Sequence, residues 1–467
     1  MKHDQAKFLT GNLTNHIVTM TVTASVGMVA LFLVDVVDMI FISMLGVEEL
    51  AAAVGFAGTI MFFTTSISIG LAIAGGAMVA KALGQGDEDR ATEALTHVMI
   101  VGFVFAVLIA AVIFANLGNL TSLIGASGLT QELAISYLRI LIPTMPFLLL
   151  GIVASAALRG HGAAKLSMAV TLIAGVVNAV LDPIFIFGFG WGLDGAAIAS
   201  VVSRFAMAGS AIWFVLRETV GFSAFRPAKI IADVSPIAAI AVPAILANVA
   251  TPVGSAYVTR VAADFGEEAV AGMAVVGRLT PIAFAMIFSL SGAIGPIIGQ
   301  NFGAQQFDRV REAFNRSIFL IIAYVVPVVV VLYLLRSPIA DLFNAQGLAR
   351  DLIYLFCGPL SLAWIFNGII FVGNAAYNNL GHPFYSTWIN WGRNTVGVFP
   401  FVYFGAQYWG AEGVLIGLMA GGVFAAIVSY ILAEYIMRKA QDGTGEVSGT
   451  RHFKDHRRAF TITHHRR

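Results

Sequence analysis

Charge is what this sequence has least of. Asp, Glu, Lys and Arg make up 11% of its 467 residues, against 58% hydrophobic residues and a mean hydropathy of +0.85. A soluble domain carries about 25% charged residues, so too little charge is present to solvate a globular surface, and a soluble protein is excluded. Cysteine is nearly absent as well. Cys357 alone rules out an intramolecular disulfide and any zinc site built on thiolates. Neither sign of charge prevails, with 27 basic and 26 acidic residues, and no basic stripe interleaved with aromatics points to nucleic acid. The nine histidines sit near or outside the ends of apolar runs and show no metal-ligand spacing. A phosphate-binding loop, a nucleophile elbow and a His/Glu helix motif are all missing, so neither ATP-driven pumping nor hydrolysis is supported. An enzyme is therefore not expected, and no cofactor is called for.

Long apolar runs fill the space that charge leaves. Stretches such as 17–33, 100–115 and 318–335 approach the roughly 20 residues that a helix needs to cross a bilayer core. They are continuous and rich in Gly and Ala, unlike the alternating segments of about ten residues in a membrane barrel. The fold class expected is all-α integral membrane. Hydropathy read against Gly, Pro and charge gives twelve spans, at about 17–44, 51–82, 95–118, 131–157, 166–188, 195–217, 235–262, 269–299, 314–335, 349–376, 385–405 and 412–437. An even number places both termini on one side, and 20 of the 27 basic residues lie in the loops and tails of that side. By the positive-inside rule that side is the cytoplasm, and the polar start, MKHDQAKFLTGNLTNH, reads as a cytoplasmic leader.

The halves repeat. At an offset of 219, Glu49, Ala52, Gly76, Gly84, Asp89, Arg90, Glu93 and Ala94 fall on Glu268, Ala271, Gly295, Gly303, Asp308, Arg309, Glu312 and Ala313, and WGLDG (191–195) meets WGAEG (409–413) at 218. Six spans per half make this a parallel repeat about an axis along the membrane normal, so two six-helix lobes around a V-shaped cavity are expected, the architecture of an alternating-access transporter. The domains read as an N-terminal lobe (1–217), a linker (218–234), a C-terminal lobe (235–437) and a basic, disordered tail (438–467) able to touch anionic lipid heads. GQGDEDRATEAL (84–95) lacks the ligand register of a calcium loop and reads as a turn capping a helix.

Only Asp35, Asp38 and Asp182 place carboxylates well inside spans, and all three are in the N-terminal lobe. An acid at the centre of a membrane helix costs about 2.5–3.5 kcal/mol, so each needs a reason. Asp35 and Asp38 share a helix face by i, i+3 spacing; Asn178 and Asp182 share another by i, i+4. Carboxylates gathered in a dry pocket cannot all stay ionised, so one takes a proton or binds a cation. Pro183, lacking an N–H, frees the carbonyl of Ala179, and Ser200 on the next span adds a hydroxyl. Such hard oxygens suit H⁺ or a small cation, with Na⁺ at Asp38, Asn178 and Asp182. Prolines gather in the C-terminal lobe, where kinks are expected. Mid-span Tyr257, Met286, Phe288, Trp364, Asn367 and Phe63 are candidates for the cavity wall. Arg204, Arg260 and Arg393 are expected near span ends, reaching the interface.

DMIFISMLG (38–46) with EELAAAVG after it, ALGQGD (82–87), LRGHG (158–162), NAVLDPIFIFG (178–188) and GAAIAS (195–200) make the chain resemble the multidrug and toxic compound extrusion (MATE) family. The resemblance covers all twelve spans. It implies a twelve-helix, two-lobe exporter of amphipathic, cationic organic compounds driven by exchange for H⁺ or Na⁺, in the inner membrane and acting as a monomer among its lipids. The family's acidic position in span one falls on Asp38, its Asn and Asp in span five on Asn178 and Asp182, and its span-six hydroxyl on Ser200. Asp35 matches no family position. The acids that some branches carry in spans seven and ten are missing, as in the branch coupled through the N-terminal lobe only, and span one has no proline at which to bend. Two rival readings are a lipid-linked oligosaccharide flippase of the same fold, which needs an arginine-lined cavity where only Arg260 and Arg278 offer themselves, and a membrane scaffold that transports nothing.

Overall fold

A lipid-embedded backbone must satisfy its polar groups internally, and the apolar runs do so as helices. The computed structural model describes residues 6–442; of the tail expected at 438–467, residues 438–441 instead continue the last helix (Phe399–Gln441), and the part beyond Asp442 lies outside the described residues. The N-terminal lobe comprises α1 (Leu13–Ser43), α2 (Glu48–Gly84), α3 (Glu88–Ala115), the short α4 (Leu117–Leu123), α5 (Gly128–Leu141), α6 (Met145–Gly160), α7 (Ala164–Pro183) and α8 (Gly192–Glu218). A 3₁₀ turn at Ile142–Thr144 joins α5 to α6, and α7 widens into a π turn at Ile184–Gly188. The C-terminal lobe comprises α9 (Pro227–Ala263), α10 (Glu267–Ala283), α11 (Ala285–Gly303), α12 (Phe307–Leu342), α13 (Gly347–Cys357), α14 (Trp364–Asn379), α15 (Phe384–Asn394) and α16 (Phe399–Gln441), with a 3₁₀ turn at Pro359–Ala363 between α13 and α14. The turn after α2 caps a helix as its sequence suggests: the Asp87 carboxylate accepts from the Arg90 backbone N–H at 2.9 Å.

Ten of these stretches are long and apolar enough to cross a membrane, and α10 with α11 forms an eleventh crossing, broken by a 46° bend. The twelfth is hidden in α16. Its 43 residues would span about 65 Å if straight, twice the bilayer core, but Trp409 and Gly410 leave helical geometry, Gly410 at φ 59° and ψ −140°. The chain folds back there. A Cβ on Gly405 would lie 2.1 Å from the carbonyl oxygen of Gly413, one on Gly417 2.2 Å from that of Phe401, and one on Gly421 1.6 Å from that of Gly397. Those pairs are antiparallel, so residues on either side of the break are two helices packed backbone to backbone through glycine. The WGAEG turn is thus the counterpart of WGLDG, where Gly192 also takes a positive φ of 53°.

Lobe symmetry is visible where the halves meet. Gly84 and Gly303, equivalent under the 219 offset, face each other: a Cβ on Gly84 would lie 2.0 Å from the carbonyl oxygen of Gln300, and one on Gly303 2.3 Å from that of Lys81. Lys81 and Gln300 are themselves equivalent, so the contact is reciprocal about the pseudo-twofold axis. Around it, residues 6–12 are anchored. The Phe8 N–H donates to Gln300 Oε1 at 3.0 Å, and Arg309 donates to the carbonyls of Phe8, Thr10 and Gly11. Asp233 on α9 accepts two 2.7 Å hydrogen bonds from Arg90 on α3 and lies 2.6 Å from His97 Nδ1, while Lys229 pairs with Glu93. These ties all belong to the end of the bundle that carries the start of the chain and the inter-lobe connection. The irregular part of that connection is residues 219–226, because helix resumes at Pro227, whose fixed φ and missing N–H suit a first helical turn. Hence the latter half of the expected linker is helical.

The lobes differ in bending. α2 runs unbroken through 37 residues, whereas its equivalent, α10 and α11, breaks at Phe284, three residues after Pro281. The prolines of α9 leave that helix continuous, and Pro143 and Pro183 mark two irregularities of the N-terminal lobe.

Candidate functional site

Three helices of the N-terminal lobe bring the predicted polar residues together. α1 supplies Asp38, α7 supplies Asn178 and Asp182 one turn apart, and α8 supplies Ser200. The Asn178 amide nitrogen donates to Asp182 Oδ2 at 2.6 Å and stands 3.5 Å from both oxygens of Asp38; its oxygen accepts from the Ser200 hydroxyl at 3.4 Å. Asn178 therefore bridges the two carboxyls, which lie within interaction distance of each other. Asp182 is 1% exposed and Asn178 8%, while Asp38 is half-buried. The second oxygen of Asp182, Oδ1, is buried without a hydrogen-bond partner among the described residues. Pro183 ends α7 directly after Asp182, and the π turn that follows opens the backbone beside the acid; such local widening is common at functional sites.

An unpartnered carboxylate oxygen in a buried position is costly, and its natural complement is a proton or a cation. The donor set is all hard oxygen, which fits H⁺ or Na⁺ and not a soft metal. As the amide stands, Asn178 serves both carboxyls as a donor; turned by 180° it would offer its oxygen to a cation. Asp35, one turn before Asp38, is exposed, makes no hydrogen bond among the described residues, and acts on Asp38 through charge alone. No group of three or more His, Cys, Asp or Glu side chains that could hold a metal occurs among the described residues.

Beside this cluster stand one residue that the sequence reading missed, Tyr137, and one that it misplaced, Arg204. Tyr137 on α5 reaches Ser200, and Arg204, one turn after Ser200 on α8, faces the same ring. Arg204 does not snorkel to the interface as its sequence position suggested. It turns inward and donates to the Leu141 carbonyl and the Thr144 hydroxyl, both at 2.8 Å. The cause is the 3₁₀ turn: the Met145 N–H bonds the Ile142 carbonyl instead of that of Leu141, which leaves the latter for a side chain. Arg393 on α15 is likewise turned inward, its Nη1 donating to Asn367 Oδ1 at 2.8 Å. Arg260, at the end of α9, is exposed as expected.

The cavity candidates divide. Phe288, Trp364 and Asn367 come together in the C-terminal lobe, with the Phe288 and Trp364 rings 5.6 Å apart. Met286 is half-buried two residues before Phe288. Tyr257 lies elsewhere, stacked 4.2 Å from Phe399 with its hydroxyl on the Phe399 carbonyl. Phe63 is 42% exposed on α2, edge-on to Phe62.

Comparison with known proteins gives this arrangement a lineage. The chain is 26% identical to a FAD transporter of Shewanella oneidensis, over 95% of its own length and 99% of that protein's. It is 22% identical to the multidrug export protein MepA of Staphylococcus saprophyticus, over 90% and 92%. The fold superposes on an outward-facing multidrug resistance MATE family transporter of the MOP superfamily with a TM-score of 0.87, at 25% identity and covering 94% and 98% of the two chains. The family model MatE matches twice, at residues 24–184 and 243–404, segments that begin 219 residues apart and fall one on each lobe. The chain is a multi-pass membrane transporter whose helices make twelve crossings in two lobes, and it belongs to the MatE family.

Proposed function

We propose that the protein is a secondary antiporter of the inner membrane, exporting amphipathic organic compounds, organic cations among them, in exchange for inward-moving H⁺ or Na⁺. The observation that carries the coupling is the Asp38–Asn178–Asp182 bridge with its unpartnered buried Asp182 Oδ1. Similarity to a protein named as a multidrug export protein supports the direction of transport, and similarity to one named as a FAD transporter supports an organic substrate.

In this reading the cluster passes between a charged and a neutralised form. With a proton or Na⁺ bound, one negative charge of the Asp38–Asp182 pair is cancelled and Asn178 holds both side chains in place, with Ser200 fixing the amide. Once the ion leaves, the two carboxylates repel, and the repulsion favours a lobe arrangement in which water or a cationic substrate screens them. Alternation of the lobes about the Gly84–Gly303 contact then exposes the site to one side at a time. In this reading both termini are cytoplasmic, a side supported by the excess of basic residues in its loops, and the chain acts as a monomer. Asp38→Asn and Asp182→Asn, each expressed at wild-type level, lose efflux of the cationic dye ethidium from cells by at least about tenfold, a barrier change of about 1.4 kcal/mol. Full efflux in both variants contradicts the assignment.

A further inference from the structure

The C-terminal lobe holds a cation that the coupling cycle does not use. Arg393 lies deep in the lobe yet keeps part of its surface open, and no carboxylate faces it among the described residues. Of its five N–H donors, one bonds Asn367 Oδ1, and its carbon stands 6.0 Å from the Phe371 ring centre. Asn367 and Phe371 belong to one face of α14, together with Trp364, by i, i+3 and i, i+4 spacing. Phe288 of α11 extends the row, with ring centres 5.4 Å from Phe371 and 5.6 Å from Trp364, and Phe284 stacks on Trp364 at 4.9 Å. Trp364 is 9% exposed and its indole N–H is buried without an acceptor among the described residues.

This row is therefore rich in hydrogen-bond donors and flat apolar surface and poor in acceptors. A guanidinium inside the membrane without a counter-charge is expensive, and an acid is its natural complement, held in the planar two-point geometry that arginine favours. The aromatic row beside it favours a planar ring, offset-stacked or edge-on. We propose that the face formed by Arg393, Asn367, Trp364, Phe371 and Phe288 is a binding site for aromatic anions, planar ring systems bearing a carboxylate, sulfonate or phosphate. The acid sits on Arg393 and the ring lies along Phe371 and Phe288. The site rests on the transporter reading and widens its substrates beyond organic cations to a second, anionic class.

Two dyes with one xanthene ring system and opposite charge test it: fluorescein, an anion at pH 7.5, and rhodamine 6G, a cation. Binding to the purified full chain in lipid nanodiscs is followed by fluorescence anisotropy, with no ion gradient, so an error in the coupling assignment leaves the measurement untouched. Wild type binds fluorescein saturably. Arg393→Gln weakens that binding at least about tenfold, and Asn367→Asp, which places the missing negative charge against Arg393 in an isosteric side chain, does the same. Rhodamine 6G binding stays within about threefold of wild type in Arg393→Gln. Should Arg393→Gln fail to fold, Asn367→Asp carries the test alone. Absence of fluorescein binding in wild type, unchanged fluorescein binding in the folded variants, or equal loss of both dyes overturns the proposal.

Discussion

Asp182 and Asp35 show how differently two membrane acids can be placed. Among the described residues, Asp182 is sealed against Asn178 with one oxygen unpartnered, whereas Asp35 is exposed and makes no hydrogen bond. Asp35→Asn should therefore keep dye efflux within about twofold of wild type, while the Asp38 and Asp182 variants lose it; the same cell assay separates the three, and tenfold is only 1.4 kcal/mol of barrier. Arg204 has a structural duty. Its removal as Arg204→Gln takes a charged donor from the Leu141 carbonyl and the Thr144 hydroxyl, leaving the former only the Thr144 hydroxyl as side-chain donor, and thermal unfolding in detergent should show a loss of about 1–3 kcal/mol. The acids and Asn178 were legible in the sequence because i, i+3 and i, i+4 spacing puts side chains on one helix face and because a carboxylate in an apolar run stands out. Arg204 and Arg393 were misread because hydropathy does not say which way a long side chain turns. A 3₁₀ turn that releases a carbonyl on another helix decides the first, and an amide on another helix anchors the second.

At the scale of elements, glycine sets how closely helices approach. Gly397, Gly405, Gly413 and Gly421 let the two arms of α16 and its lead-in touch through their backbones. Gly421→Leu would force a side chain into the Gly397 carbonyl, and Gly410→Ala would place a Cβ where φ 59° and ψ −140° are tolerated essentially by glycine only. The second should cost about 1–3 kcal/mol, and the first should abolish the folded peak in size-exclusion chromatography of detergent-solubilised protein. The hairpin was readable beforehand, since the repeat of WGLDG as WGAEG placed a turn between the last two spans. The 46° break at Phe284 was readable only in part. Proline counts located bending in the C-terminal lobe, yet three prolines leave α9 continuous, because a proline ring is accommodated or not according to the helices packed beside it.

Across the whole molecule, the two lobes are fastened at one end by a backbone contact at Gly84 and Gly303 and by the Asp233 cluster with Arg90 and His97. Breaking a buried ion pair by removing one partner costs about 3–5 kcal/mol. Asp233→Asn should therefore shift the population toward forms open at this end, read as a longer inter-lobe distance by double electron–electron resonance between spin labels on α3 and α12. Repeat arithmetic made the two-lobe plan legible, since Lys81, Gly84, Gln300 and Gly303 keep the 219 offset and touch reciprocally. The anchoring of residues 6–12 was not legible, because a polar leader looks the same whether it is solvated or bound through its backbone to Gln300 and Arg309. The central claim is that Asp182 couples an ion to substrate movement. The most direct test compares wild type and Asp182→Asn in proteoliposomes, measuring dye accumulation driven by an imposed pH or Na⁺ gradient alongside dye exchange without a gradient. Coupling through Asp182 predicts that the variant keeps exchange and loses gradient-driven accumulation; accumulation at the wild-type rate in the variant, under whichever gradient drives the wild type, contradicts it.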